Sequence, residues 1–167
     1  MKKFLTFLLL NVFLFYGYKS LSARPGVDEI INKANKVAYY EGEDGRATVE
    51  MTITDSQGRK RERGFEILRL DLTDGGEQKY YVYFKDPPDV RDMVYMVWKH
   101  LNRDDDRWMY LPALDLVRRI AASDKRSSFV GSHFAYEDIS GRNPSDDKHE
   151  LLEETDDMYV LKSTPKD

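Results

Sequence analysis

The sequence predicts a mainly β protein with an antiparallel sheet and one N-terminal helix, preceded by a targeting segment. Three observations support this prediction. Apolar residues recur at helical spacing in one stretch after the targeting segment, and about eight other stretches have strand patterns, by alternation as at 48–54 or by an almost unbroken aromatic and β-branched run as at 80–84. Short turns rich in glycine, aspartate and asparagine join these stretches. Because strands do not alternate with helices, a doubly wound parallel sheet is disfavoured.

The first 23 residues have the organisation of a cleaved signal peptide. Lys2 and Lys3 precede an apolar run over residues 4–18, and small residues follow at 20–23. This run is shorter than the roughly 20 apolar residues that a membrane-spanning helix needs. We therefore expect cleavage after Ser22 or Ala23, export, and a periplasmic mature domain over residues 24–167, and an uncleaved anchor is the alternative.

The mature chain is predicted to begin with a helix over residues 28–40, for which Asp28 is the N-cap. The turn at 55–58 then joins the first two strands into a hairpin. The predicted strands, in chain order, are 48–54, 60–70, 80–84, 93–100, 107–111, 116–121, 148–154 and 157–163. Residues 123–147 lack periodicity and are predicted to be irregular, with Phe129, Phe134 and Tyr136 as apolar anchors.

The composition excludes several kinds of function. The chain of 167 residues contains no cysteine, which removes disulfides, thiolate metal ligands and cysteine nucleophiles. Its formal net charge of -4 disfavours general nucleic-acid binding, because that function needs a basic face. The hydrophobic fraction of 41% is sufficient for the core of a single domain.

Catalytic and metal sites are not expected. His100, His133 and His149 are far apart in sequence and lack the spacing of converging zinc ligands. Ser132 stands next to a histidine, but the second glycine of a nucleophile elbow is missing. The sequence therefore predicts a protein that is not an enzyme and that uses no cofactor.

The strongest candidate for a ligand site is apolar. Aromatic, methionine and aliphatic residues recur at alternate positions on successive strands, and such side chains suit an adaptable pocket. We expect them to face one concave side of the sheet, where Trp98 and Trp108 contact an apolar cargo. The candidate residues are Met51, Ile53, Phe65, Ile67, Val82, Phe84, Met96, Trp98, Trp108 and Tyr110. An ordinary core explains the pattern equally well, because alternation shows only that one face is buried.

Arg118 and Arg119 form a basic cluster in an acidic protein, and Lys125 and Arg126 follow shortly after. These side chains could contact a protein partner or a phosphate headgroup. A solvated loop that balances nearby aspartates is the alternative.

Three motifs carry a resemblance to a known family. They are Asp106-Arg107-Trp108-Met109-Tyr110-Leu111-Pro112, Arg118-Arg119-Ile120 and Ser128-Phe129-Val130-Gly131-Ser132-His133-Phe134-Ala135-Tyr136-Glu137-Asp138. Together with the exported N-terminus, the first helix and the antiparallel strands, they resemble the LolA-like family of outer-membrane lipoprotein-sorting proteins. The resemblance covers most of residues 27–163.

The resemblance implies a strongly curved antiparallel sheet, an open half-barrel with helical or loop segments over its concave side. It also implies a periplasmic carrier or chaperone that binds lipoprotein acyl chains or lipids for outer-membrane sorting. The partners would be that cargo and transport complexes of the inner and outer membranes. Shielding of acyl chains from water is worth about 0.8 kcal/mol per buried methylene.

The alternative function is an envelope sensor or regulatory module, since half-barrels of this kind also bind apolar ligands together with a protein partner. The sequence departs from the family in two places. His133 stands where the family usually has an acidic residue, and the chain stops at Asp167, where family members usually continue with further strands. We therefore expect a C-terminally incomplete half-barrel whose complete form is a monomer.

Overall fold

The computed structural model describes residues 24–166, so the predicted signal peptide lies outside the described residues. This part of the chain contains one α-helix and eight strands, which confirms the mainly β fold class. The elements are α1 (Val27–Tyr39), β1 (Asp44–Thr54), β2 (Lys60–Asp71), β3 (Gln78–Asp86), β4 (Val94–Lys99), β5 (Asp106–Leu111), β6 (Leu116–Ile120), β7 (Asp147–Glu154) and β8 (Tyr159–Pro165).

Strands β1 to β6 form an antiparallel meander in sequence order, and β7 and β8 form a separate two-stranded sheet. The sheets are curved and do not close, as in a half-barrel. Tight turns between successive strands produce this order. After β1, the Asp55 carboxylate accepts hydrogen bonds from the backbone N–H groups of Gln57 at 2.9 Å and Arg59 at 3.0 Å. Gly58 follows with φ of 78°, a conformation that favours glycine.

Helix α1 lies against the end of the six-stranded sheet through its last turn. Gly26 is the N-cap, so the prediction that Asp28 caps the helix is wrong. Asp28 lies in the first turn, where its charge is favourable near the positive end of the helix dipole. The backbone oxygen of Tyr39 accepts hydrogen bonds from Arg69 at 2.7 Å and Gln78 at 2.6 Å, which hold the helix end on the sheet.

None of the helices formed by residues 24–166 is both long and apolar enough to span a membrane.

The hydrophobic core lies on one face of the six-stranded sheet, which we call the inner face. Residues 121–146, which we call the covering segment, lie over this face and contain short 3₁₀ turns rather than strands. Its irregular structure is as predicted. Phe129 is fully buried and Tyr136 is half-buried against the core. Phe134 is 56% exposed, so the prediction that it is an anchor is wrong.

Candidate ligand-binding faces

The ten apolar candidates do not share one side of the sheet. Residues paired across neighbouring strands lie on the same face, and successive residues alternate between faces. The candidates on the inner face are Met51, Ile53, Phe65, Ile67, Val82 and Phe84. The candidates on the opposite side, which we call the outer face, are Met96, Trp98, Trp108 and Tyr110. The expectation that all ten face one side is therefore wrong, and contact of either set with a ligand stays a prediction.

The sequence analysis did not select the residues that complete the inner face on β4 and β5. Tyr95 pairs with Val82 on one side and with Met109 on the other, and all three are buried. Both faces of β4 are largely apolar, so alternation does not show which of them is covered. The same inner-face positions end in Lys99 on β4 and begin with Arg107 on β5, so this face is not apolar throughout.

Phe129 is the centre of the contact between the covering segment and the inner face. Its ring centroid lies 5.4 Å from that of Tyr95, 5.8 Å from that of Phe84 and 6.2 Å from that of Phe65. The next residue, Val130, has φ of 51°, a left-handed conformation that is strained for a β-branched side chain. Local backbone strain thus accompanies the insertion of Phe129 into the core.

A small apolar cavity lies where the covering segment meets β4, β5 and β6. Its volume is about 140 Å³, and its lining includes Met93, Met109, Arg118, Val130 and Tyr136. A cavity of roughly 150 Å³ is large enough for a molecule such as benzene. A long acyl chain needs more room, so it can occupy the inner face only if the covering segment moves.

The inner face becomes polar at the end of β4. Lys99 is only 3% exposed and pairs across the sheet with Gln78, which is fully buried. The Lys99 ammonium donates a hydrogen bond to the backbone oxygen of Ser140 at 2.8 Å, and it lies over the rings of Tyr39 and Tyr40 at 5.3 and 5.7 Å from their centroids. Burial lowers the pKa of Lys99, because desolvation disfavours the charged form.

The outer face carries an apolar row that crosses four strands. Cross-strand pairing joins Leu68 to Tyr81, Tyr81 to Met96 and Met96 to Trp108. Leu68 and Tyr81 are exposed, whereas Met96 and Trp108 are half-buried. Beside this row Trp98 is 37% exposed. A continuous apolar surface of this kind is typical of a contact surface.

Arg118 and Arg119 lie on β6, an edge strand of the six-stranded sheet. Their cross-strand partners are Met109 and Trp108 respectively, so the two side chains lie on opposite faces. Arg118 lines the apolar cavity on the inner face, and Arg119 forms an ion pair with Asp106 on the outer face. The two arginines do not form a single basic patch, and contact of either one with a headgroup or a partner stays a prediction.

The fold and its apolar inner face define a half-barrel of the LolA-like class, and comparison with solved structures confirms that fold. A domain from Vibrio parahaemolyticus, described as an outer membrane lipoprotein-sorting protein domain, matches 83% of this chain with 31% identity and a TM-score of 0.69. A DUF1329 family protein from Desulfovibrio piger matches 81% of this chain with 31% identity and a TM-score of 0.70. This chain spans 60% of the length of each of those two chains.

A family model described as "uncharacterized protein" matches residues 76–167, which is more than half of the chain, and the chain belongs to that family. The matched region begins just before β3 and includes the covering segment and the final hairpin. Comparison with curated proteins gives no match.

Proposed function

We propose that this protein is a periplasmic carrier that binds the acyl chains of lipoproteins or lipids on its inner face, for outer-membrane sorting. The observation that carries the proposal is the arrangement of that face. A continuous apolar sheet surface is covered by a separate, irregular segment rather than by a second sheet or a packed helix. The solved structures with the same fold include a domain described as lipoprotein-sorting, which supports the same class of cargo.

The energetics are compatible with reversible binding. Transfer of about 14 methylenes of one acyl chain out of water contributes roughly 11 kcal/mol at about 0.8 kcal/mol each. Exposure of the Phe129 side chain to water costs about 1.5–3 kcal/mol, without a cavity contribution because the acyl chain fills the vacated site. Association itself costs at least about 4 kcal/mol more. The remainder corresponds to a modest affinity, which allows a carrier to release its cargo.

Quenching by a brominated fatty acid tests which face binds the chain. Trp98 and Trp108 lie on the outer face, so dibromostearate bound on the inner face leaves their fluorescence nearly unchanged. A variant that carries Trp98→Phe, Trp108→Phe and Tyr136→Trp moves the reporter to the inner-face cavity. We expect strong quenching in this variant and little in the parent protein. The reverse result would contradict the assignment of the chain to the inner face.

A pair of phenylalanine variants tests whether Phe129 occupies the position of the chain. If the covering segment must open before a chain binds, the apparent affinity is reduced by the fraction of open molecules. Phe129→Ala should therefore bind dibromostearate more tightly than the parent. Phe134→Ala, in the same segment but with an exposed side chain, should bind like the parent. Equal affinity of all three proteins would show that Phe129 does not compete with the ligand.

The apolar row on the outer face favours a second function, an envelope sensor or regulatory module. Aromatic residues and methionine are enriched where proteins bind each other, and Tyr81, Met96 and Trp108 lie side by side there. In that case the two tryptophans of the parent protein, and not the tryptophan introduced at position 136, would respond to the bound partner or ligand. The quenching experiment thus separates the two functions.

A further inference from the structure

A buried ammonium without a carboxylate partner lies at the polar end of the inner face. Among residues 24–166, no carboxylate oxygen lies within 4.0 Å of Lys99 Nζ. One hydrogen bond, to the backbone oxygen of Ser140, uses one of its three donors. The rings of Tyr39 and Tyr40 contribute cation–π attraction but no acceptor. Buried charges in proteins are normally paired directly, so Lys99 lacks, within the described part of the chain, the anionic contact that is usual for an ammonium at this depth.

A polar cavity of about 400 Å³ is lined in part by Lys99. Its lining contains five lysine and arginine side chains and three aspartates, and two of these cations pair with carboxylates outside the lining, Arg103 with Asp106 at 2.9 Å and Arg142 with Asp147 at 2.6 Å. The aspartates are already engaged: Asp105 with Arg107 at 2.6 Å, and both Asp104 and Asp146 with Lys125 at 3.9 and 4.0 Å. Asp105 attracts Lys99 electrostatically without a contact of 4.0 Å or less, so Lys99 is the cation of the lining that has no carboxylate of the described residues in direct contact.

We propose that Lys99 binds a phosphate group that enters through this cavity. A lysine ammonium is a compact charge with rotatable donors, which suits the several acceptor oxygens of phosphate. Two donors of Lys99 remain for these oxygens, and a buried position screens the attraction between ammonium and phosphate less than an exposed one does. The phosphate comes either from the headgroup of an amphiphile or from a free phosphate compound.

The position of Lys99 relative to the apolar core favours the headgroup as the source. Lys99 and Tyr95 lie on the same face of β4, four residues and roughly 13 Å apart at about 3.3 Å per residue. An amphiphile whose chain replaces Phe129 beside Tyr95 would thus place its phosphate at the polar end of the same face. This choice of source rests on the proposed carrier function, whereas the phosphate site itself does not.

Calorimetric titration with three compounds tests both points. The compounds are inorganic phosphate, dodecyl phosphate and dodecyl maltoside, which shares the chain but has no charge. Lys99→Met should weaken dodecyl phosphate binding by roughly tenfold or more, the range for loss of a hydrogen bond to a charged group. Lys85→Met is the matched control, because Lys85 lies on the outer face of β3 and should leave every affinity within about twofold.

The outcomes identify the source of the phosphate and test the phosphate site independently of the carrier function. Tighter binding of dodecyl phosphate than of inorganic phosphate, lost in Lys99→Met, supports the headgroup, and equal binding of the two supports a free phosphate compound. Phosphate binding without any dodecyl maltoside binding would refute the carrier function and leave the phosphate site intact. The site is refuted if neither phosphate compound binds, if Lys99→Met binds them like the parent, or if Arg118→Met alone abolishes binding. Bound phosphate should also raise the pKa of Lys99, measured by NMR.

Discussion

Replacement of Phe129 by alanine should destabilise the protein far more than the same replacement of Phe134 in the covering segment. The side chain is fully buried, and its ring contacts those of Phe65, Phe84, Tyr95 and Tyr136. Loss of its burial costs about 1.5–3 kcal/mol, and the cavity left behind raises the total to about 3–5 kcal/mol. For a domain of this size, each kcal/mol lowers the melting temperature by about 2–4 °C, so we expect a decrease of roughly 10 °C.

Urea denaturation of the mature domain and limited proteolysis measure this effect together. Denaturation reports the change in global stability. Trypsin cleavage after Lys125 or Arg126 reports opening of the covering segment alone, because local opening need not unfold the sheet. We expect Phe129→Ala to lower the urea midpoint and to accelerate cleavage at these two sites. Phe134→Ala, with the same atoms removed from an exposed position, should stay within about 0.5 kcal/mol of the parent.

The reasoning would be refuted by a specific result. If Phe129→Ala costs less than about 1 kcal/mol, or if it matches Phe134→Ala, then Phe129 is not the residue that holds the covering segment on the inner face. A large loss of global stability without faster cleavage at Lys125 or Arg126 would mean that the segment and the sheet open only together. An acyl chain could then enter only by unfolding the domain, which contradicts the proposed carrier.

Three further predictions follow from single positions. Gly141→Ala should lower the free energy of unfolding by about 1–3 kcal/mol in urea denaturation, because the added Cβ would lie 2.6 Å from the Tyr39 ring. Gly75 also has a left-handed conformation but has open space around it, so Gly75→Ala should lower the free energy of unfolding less. Lys99→Met should raise the melting temperature by about 2–4 °C at neutral pH, since it removes a desolvated charge. Because the folded pKa of Lys99 is lowered, the parent gains stability as pH rises from that pKa towards 10.5, and the advantage of the variant should shrink there. Hydrogen bonds from His100 and Trp98 lower the pKa of Glu77, so they stabilise the folded protein only while Glu77 is ionised, and this stabilisation should be lost as the pH falls through the lowered pKa. Glu77→Gln should therefore make the melting temperature depend less on pH in the acid range.

The element order could be predicted from the sequence because local signals determine it. Alternation in β1, the aromatic and β-branched run in β3, and turn residues such as Asp55 and Gly58 specify strands and hairpins without reference to the rest of the chain. The predicted helix differs from the observed one by a single residue at each end. The LolA-like fold followed from motifs whose spacing spans β5, β6 and the covering segment.

The candidate site could be predicted only in part, because it depends on which face of each strand is covered. Met96 and Trp98 are as apolar as Tyr95 and Val97, so local alternation in β4 gives no preference. The choice is made by the register with β3, which pairs Tyr95 with the buried Val82. The sequence also did not distinguish the buried Phe129 from the exposed Phe134, because both lie in a segment without periodicity.

The melting temperature and the phosphate affinity of Lys99→Met together show whether Lys99 binds an anion or stabilises the fold. A lysine kept for packing should stabilise the fold through Ser140 and the rings of Tyr39 and Tyr40, and its replacement by methionine should lower the melting temperature. If Lys99 instead binds an anion, its burial without a bound anion destabilises the fold, so the same replacement should both raise the melting temperature and remove phosphate affinity. The two measurements depend on the same desolvated charge. A variant that is both less stable and fully able to bind phosphate would assign Lys99 to the packing of α1 against the sheet.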